Sequence, residues 1–221
     1  LRAKHCVLAC WHSVVPFLCP SLPEAQKEAL RYQVKRPLVL TNVLIRSSEP
    51  FDELGISGAY CPGRLHGQNW LVKGINVGDY RHSRDDRGSV VVMFWGLVSP
   101  DQDGLNVKDQ HRASRARMLD MPFGAYEREV RTVLNGMLKS TGFDAAEDIL
   151  AITVNRWAHG YSYGPGRTWE PEYASEAEKP WVVGRQPFGR ITIANSDAGA
   201  AANTDSAITH AHRAVTEALS G

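Results

Sequence analysis

The residues best placed to do chemistry lie near the end of the chain, in Gly189-Arg190-Ile191-Thr192-Ile193-Ala194-Asn195-Ser196-Asp197. Ile191 to Ala194 is short, apolar and β-branched, which predicts a buried strand. Asp197 sits where that strand ends, so its carboxylate can accept hydrogen bonds from ligand hydroxyls. Small residues run from Ala198 to Ala202, Gly199 among them, and leave room for a ligand against the backbone. Asn203 or Thr204 is a good N-cap. After it Ala207, Ile208, Ala211, Ala214, Val215, Ala218 and Leu219 recur at helical spacing and predict one apolar face. Strand, turn and capped helix together aim free N–H groups and a positive dipole end at one spot. That outlines a nucleotide-cofactor site. An ordinary strand–helix unit with a surface Asp fits the same spacing equally well.

A second group is Asn155-Arg156-Trp157-Ala158-His159-Gly160-Tyr161-Ser162-Tyr163-Gly164. Rings at 157, 161 and 163 with glycines at 160 and 164 read as a turn presenting aromatics at close quarters. As a packed corner it would be structural. As a cage its ring faces would attract amine cations and keep water from a reacting carbon.

The segments Arg190–Asp197 and Asn203–Ile208 resemble the C-terminal flavin-contacting motif of the flavin-dependent amine oxidases, in particular the bacterial spermidine dehydrogenase-like branch. The resemblance implies FAD as cofactor. It puts Asp197 on the ribityl chain and aligns Thr204, Asp205 and Ala207 with the helix start that points at the flavin; Ser196 and Gly199 complete the candidate cofactor-binding set. The aromatic segment resembles the stretch that flanks the substrate amine in that family, which makes Trp157, Tyr161 and Tyr163 candidate catalytic residues. Lys35, or Arg36 beside it, falls roughly where many members carry a lysine that holds a water near the flavin; a solvated basic pair is the plainer reading. Trp157, Tyr163 and the loop residue His66 are the candidate substrate-binding set, although a lone loop histidine is ordinarily solvated.

These residues need elements to hold them. Residues 4–10 predict a strand buried on both faces, with Cys6 and Cys10 as buried thiols. Pro23 introduces a helix to about Tyr32, amphipathic only weakly. Pro37–Arg46 predicts a strand, residues 49–88 strands and long connections, and Ser89–Val98 the strongest central strand. A turn at Pro100–Gly104 leads to a surface helix over Lys108–Leu119. Tyr126, Val130, Val133, Leu134, Met137 and Leu138 share a helical face that Gly142 closes. Ile149–Asn155 is a further strand, and Trp169–Trp181 an acidic, irregular loop. The expected class is mixed α/β: the C-terminal half of a two-domain amine oxidase-like fold, with residues 1–34 and 182–221 in the FAD-binding domain and 35–181 in a substrate-binding domain of sheet and helices.

The balance of 25 basic and 24 acidic residues, net charge +1, argues against nucleic acid as the main partner. No apolar run reaches the length of a membrane span. The four cysteines match no zinc spacing, so no metal is expected. No Gly-x-Gly-x-x-Gly occurs, yet an adenine dinucleotide normally takes such a turn. The resemblance covers nearly all of this chain and only the C-terminal half of a family member. A partner is therefore expected: an N-terminal FAD-binding half, as a separate chain or segment, bearing the glycine-rich turn. Together the halves would form an oxidoreductase acting on C–N bonds of a small-molecule amine. The alternative is a non-catalytic companion chain that stabilises a flavoprotein.

Overall fold

In the computed structural model, residues 3–72, 74, 77–79, 88–99, 103–166 and 170–220 are described. Of the expected Pro100–Gly104 turn, residues 100–102 lie outside them, as does Trp169. In chain order the elements are β1 (Cys6–Leu8), α1 (Val15–Leu18), α2 (Glu24–Tyr32), β2 (Arg36–Ile45), α3 (Glu49–Glu53), β3 (Gly58–Tyr60), β4 (Gln68–Leu71), β5 (Val90–Gly96), α4 (Val107–Asp120), α5 (Phe123–Leu138), α6 (Ala145–Asp148), β6 (Ile149–Tyr161), α7 (Pro180–Gly184), β7 (Ile191–Ile193) and α8 (Thr204–Ser220). The class is mixed α/β, as expected.

The chain divides into two compact units: Leu1–Arg36 with Gly104–His111 and His159–Gly221, and Pro37–Asp103 with Arg112–Ala158. The first unit thus takes in residues 35–36, 104–111 and 159–181, which the expected division places in the substrate domain.

In the first unit β1 and β7 pair in parallel, Cys6 opposite Ile191 and Leu8 opposite Ile193. The expected strand over 4–10, buried on both faces, shrinks to three residues with Cys6 and Val7 exposed. Among the described residues β7 is its one strand partner, so its other edge is unpaired. Cys10 is half-buried, and the fully buried thiol is Cys19 instead. Val15, Cys19, Leu22, Leu30 and Ile193 make a small apolar core. On α2 the inward residues are Gln26, Ala29 and Leu30; Gln26 donates to the Gly184 and Gln186 carbonyls at 3.2 and 2.7 Å. This polar inward residue is why the helix looks weakly amphipathic in sequence. The expected irregular stretch Trp169–Trp181 ends in the first turn of α7, where Trp181 is buried.

The apolar face expected of α8 is split. Ala214 and Ala218 turn inward, while Ile208, Val215 and Leu219 are exposed. Alanine lets the helix approach β7 closely enough for Arg213 to reach the Ile193 carbonyl.

The second unit is a five-stranded sheet in the order β3-β4-β5-β2-β6. β5 lies antiparallel to both β2 and β4. Val43, Ile45, Val92 and Phe94 meet Val130, Val133, Leu134 and Leu138 of α5, all buried, as the helical spacing predicted. α5 ends in a 3₁₀ turn closed by Gly142 at φ 81°, a conformation that costs glycine little. Two elements differ from expectation. Residues 49–53 form α3, with Phe51 buried. β6 runs on to Tyr161, so Asn155–Tyr161 is strand rather than turn. Among the described residues no helix is long and apolar enough to cross a membrane.

Candidate functional site

Where β7 ends, the backbone turns sharply. Asn195 has φ 87° and ψ 162°, a region that glycine occupies freely and other residues at a cost of roughly 1–3 kcal/mol. Its side chain offsets that cost. Oδ1 accepts from the Ser196 hydroxyl at 2.9 Å and the Asp197 N–H at 3.4 Å, and Nδ2 donates to the Ala9 carbonyl at 3.3 Å. The ends of β1 and β7 are thereby tied together.

Asp197 is 1% exposed. Its Oδ1 lies 2.6 Å from the ammonium of Lys35, itself 6% exposed, and its Oδ2 accepts the His12 N–H at 3.1 Å. Burial pushes the carboxyl up. The Lys35 charge, with hydrogen bonds from Ser162 and His12, outweighs this and holds it below its usual value. The pair is therefore charged and buried. Two readings of the sequence are corrected here. Lys35 is not part of a solvated basic pair, and Asp197 is not a surface residue: each neutralises the other out of water.

His12 is fully buried beside them, its Nδ1 2.9 Å from Gln33 Nε2. Burial lowers its pKa to about 4, so the imidazole is neutral at pH 7. Among the described residues its Nε2 and the Gln33 Oε1 are buried with no hydrogen-bond partner.

A cleft of about 390 Å³ opens over this network, lined by Trp11, Lys35, Tyr161, Ser162, Asn195, Ser196 and Thr204 among others. The Ser162 and Ser196 hydroxyls lie 2.7 Å apart. Trp11 and His159 pack ring to ring with centroids 4.7 Å apart. At the far wall α8 begins. Asn203 accepts the Ser206 N–H at 2.7 Å and is its N-cap, one of the two residues the sequence offered. Thr204 and Ala207 face the cleft from the first turn. The arrangement offers hydroxyls, an ammonium, a helix N-terminus and two exposed-edge aromatics, Trp11 and Tyr161. It suits a ligand with hydroxyl and anionic groups at one end and a flat ring at the other.

Several expected site residues go elsewhere. Asp197 lies beneath the lining, while Ser196 and Asn195 present the polar atoms. Asp205 is exposed. Gly199 does not line the cleft. A Cβ there would stand 2.4 Å from Ser206 Oγ and 2.6 Å from His210 Nε2, so the missing side chain admits α8, not a ligand. Tyr163 is buried, with its hydroxyl on Glu170, and Trp157 is a half-exposed residue of the second unit; neither is a lining residue. His66, the expected substrate-binding candidate on a loop, is a core residue and not part of the cleft lining. It is fully buried in the second unit, Nε2 2.9 Å from Thr41 Oγ1 and its ring packed edge-on to Phe94. Trp11, Ser162 and Asn195 were missed, since nothing in their spacing marks them. Among the described residues no His, Cys, Asp and Glu cluster could hold a metal ion.

Neither a protein-family model nor a curated protein sequence matches the chain. Solved structures do. A double mutant of putrescine oxidase from a redesign of its cofactor binding superimposes with TM-score 0.65 at 15% identity, covering 99% of this chain and 43% of that one. Wild-type putrescine oxidase bound to putrescine gives 0.64 at 14%, with the same coverage. Cyclohexylamine oxidase from Brevibacterium oxydans gives 0.62 at 15%, again covering 99% and 43%. The fold is that of the C-terminal portion of an amine oxidase. The chain spans less than half the length of the structures it matches, and at these identities the likeness is one of fold.

Proposed function

We propose that this chain forms part of an FAD-dependent oxidoreductase acting on the C–N bond of a polyamine or another primary or secondary amine. The observation that carries the reading is the cleft at the β7–α8 junction, built on a chain whose fold matches amine oxidases over 99% of its length. Its donor set fits such a cofactor. The Ser162 and Ser196 hydroxyls, the Asn195 amide and the first turn of α8 would hold the ribityl and ring portions, with Asp197 fixing Lys35 from below. Bound FAD supplies a two-electron acceptor for the amine carbon. The chain's own residues do the rest. Trp11 and Tyr161 set aromatic faces along the amine's approach. The Lys35–Asp197 pair is neutral as a whole, and desolvation beside the aromatic rings favours the uncharged amine, the form that can be oxidised.

The closer affinity, to the spermidine dehydrogenase-like branch, rests on Arg190–Asp197 and Asn203–Ile208 alone. The matched structures are more than twice as long, and we propose that a further segment, bearing a glycine-rich dinucleotide turn, completes the FAD site. The exposed strand β1 and the exposed Ile208, Val215 and Leu219 of α8 are surfaces that such a segment would cover.

Ser196→Leu tests the site, because it fills the cleft without touching the ion pair. The intact protein should show flavin absorption, and the variant should lose most of it while melting at a similar temperature. A colourless parent, or a variant with unchanged flavin content, would sink the assignment.

A further inference from the structure

A carboxylate, three phenols and an ammonium converge elsewhere in the first unit. Glu170 accepts hydrogen bonds from the hydroxyls of Tyr32 at 2.8 Å, Tyr173 at 2.9 Å and Tyr163. Tyr32 and Tyr163 meet edge-on with ring centroids 6.0 Å apart. The Lys108 ammonium stands 2.8 Å from the centre of the Tyr32 ring and 5.5 Å from that of Tyr163. Burial first, then hydrogen bonds with Tyr173 and Glu170, raise the Tyr32 hydroxyl well above its ordinary value. Burial raises the Tyr173 hydroxyl as well, so Tyr32 and Tyr173 remain neutral donors. Each spends its O–H on the carboxylate and leaves its ring face for a cation.

This is the chemistry of an ammonium cage: aromatic faces beside a half-buried carboxylate. Lys108 fills it from the first turn of α4 on a flexible four-carbon stem. Tyr163 is buried and forms the floor, while Tyr32, Tyr173, Glu170 and Lys108 are only half-buried, so the place is within reach of a small molecule.

We propose that the Tyr32–Tyr163–Glu170 cage is an accessory binding site for a primary alkylammonium, which Lys108 occupies as an internal stand-in until such a ligand displaces it. The site shares no lining residue with the cleft and does not depend on flavin. An internal competitor lowers apparent affinity by the fraction of molecules in which the cage is open, and removing it restores the intrinsic value.

The test is calorimetric titration of the intact protein with n-butylammonium chloride, with n-butanol as the neutral control. Lys108→Met keeps the apolar stem and removes the ammonium; it should bind butylammonium about tenfold tighter than the parent. Lys108→Gln, more conservative in polarity, should show the same gain. Adding Glu170→Gln to either should abolish it, with thermal melts confirming that each variant folds. Equal affinities in parent and Lys108 variants overturn the proposal. So does a gain that survives Glu170→Gln, or one that butanol shares. Any binding of the same amine in the cleft is common to parent and variants, so failure of the proposed oxidase function leaves these ratios unchanged.

Discussion

The two units fill their interiors with different chemistry. The second buries Val43, Ile45, Phe94, Leu134 and their neighbours, with few polar residues among them. The first has a small apolar core and sets beside it His12, Gln33, Lys35, Thr192 and Asp197, all buried. Hydrocarbon burial is non-directional: it stabilises, and it tolerates repacking. A buried ion pair adds little net stability yet fixes its partners in direction and distance. The unit that carries the cleft is therefore the one with a polar interior, as expected if position there matters more than stability.

The comparison breaks most sharply at Asp197. Asp197→Ala would leave the Lys35 ammonium buried without its counter-ion and should cost about 3–5 kcal/mol in the intact protein, with flavin lost as well. Replacing both partners by Met and Leu should cost less than either single truncation. Leu134→Ala in the other unit should cost about 2–5 kcal/mol through cavity formation while leaving flavin content unchanged. Chemical denaturation with parallel flavin absorption reads all of these. If Leu134→Ala bleaches the protein as fully as Asp197→Ala, the division of labour is wrong.

A smaller effect is expected at Gly199. The Cβ of Gly199→Ala must displace Ser206 or His210, at about 1–3 kcal/mol, and Ser206→Ala in the same chain should recover part of the loss. A Gly199→Ala variant as stable as the parent would return Gly199 to the role of ligand clearance.

A pH-dependent effect sharpens what the units share among the described residues, a buried neutral histidine in each. His12 and His66 both have pKa values lowered to about 4, chiefly by burial. The unfolded chain takes up these protons near pH 6.5, the folded chain only near 4. Stability from each is thus complete above pH 6.5. It falls as pH drops towards 4, by about 1.4 kcal/mol per pH unit per histidine. His66→Leu should make that acid limb shallower by one histidine's share. An unchanged slope between pH 6 and 4.5 would show that His66 titrates freely in the fold.

Local order was legible in the sequence wherever its cause spans a few residues. The spacing of Val130, Val133, Leu134 and Leu138, the stop at Gly142 and the Asn203 cap each act within about one helical turn, and each stands in the structure. The apolar run of β5 belongs with them. The resemblance carried by Arg190–Asp197 likewise marked the β7–α8 junction where the cleft lies. What the tertiary structure alone decided depends on partners distant in the chain. Lys35 and Asp197 are 162 residues apart, so no local pattern could turn an apparently solvated lysine into half of a buried pair. His66 reads as a loop histidine until Thr41 and Phe94 close on it. Glycine at 199 serves either a ligand or a helix, and only the approach of Ser206 and His210 decides for the helix. Propensity and capping are properties of a segment, whereas burial is a property of what lies opposite.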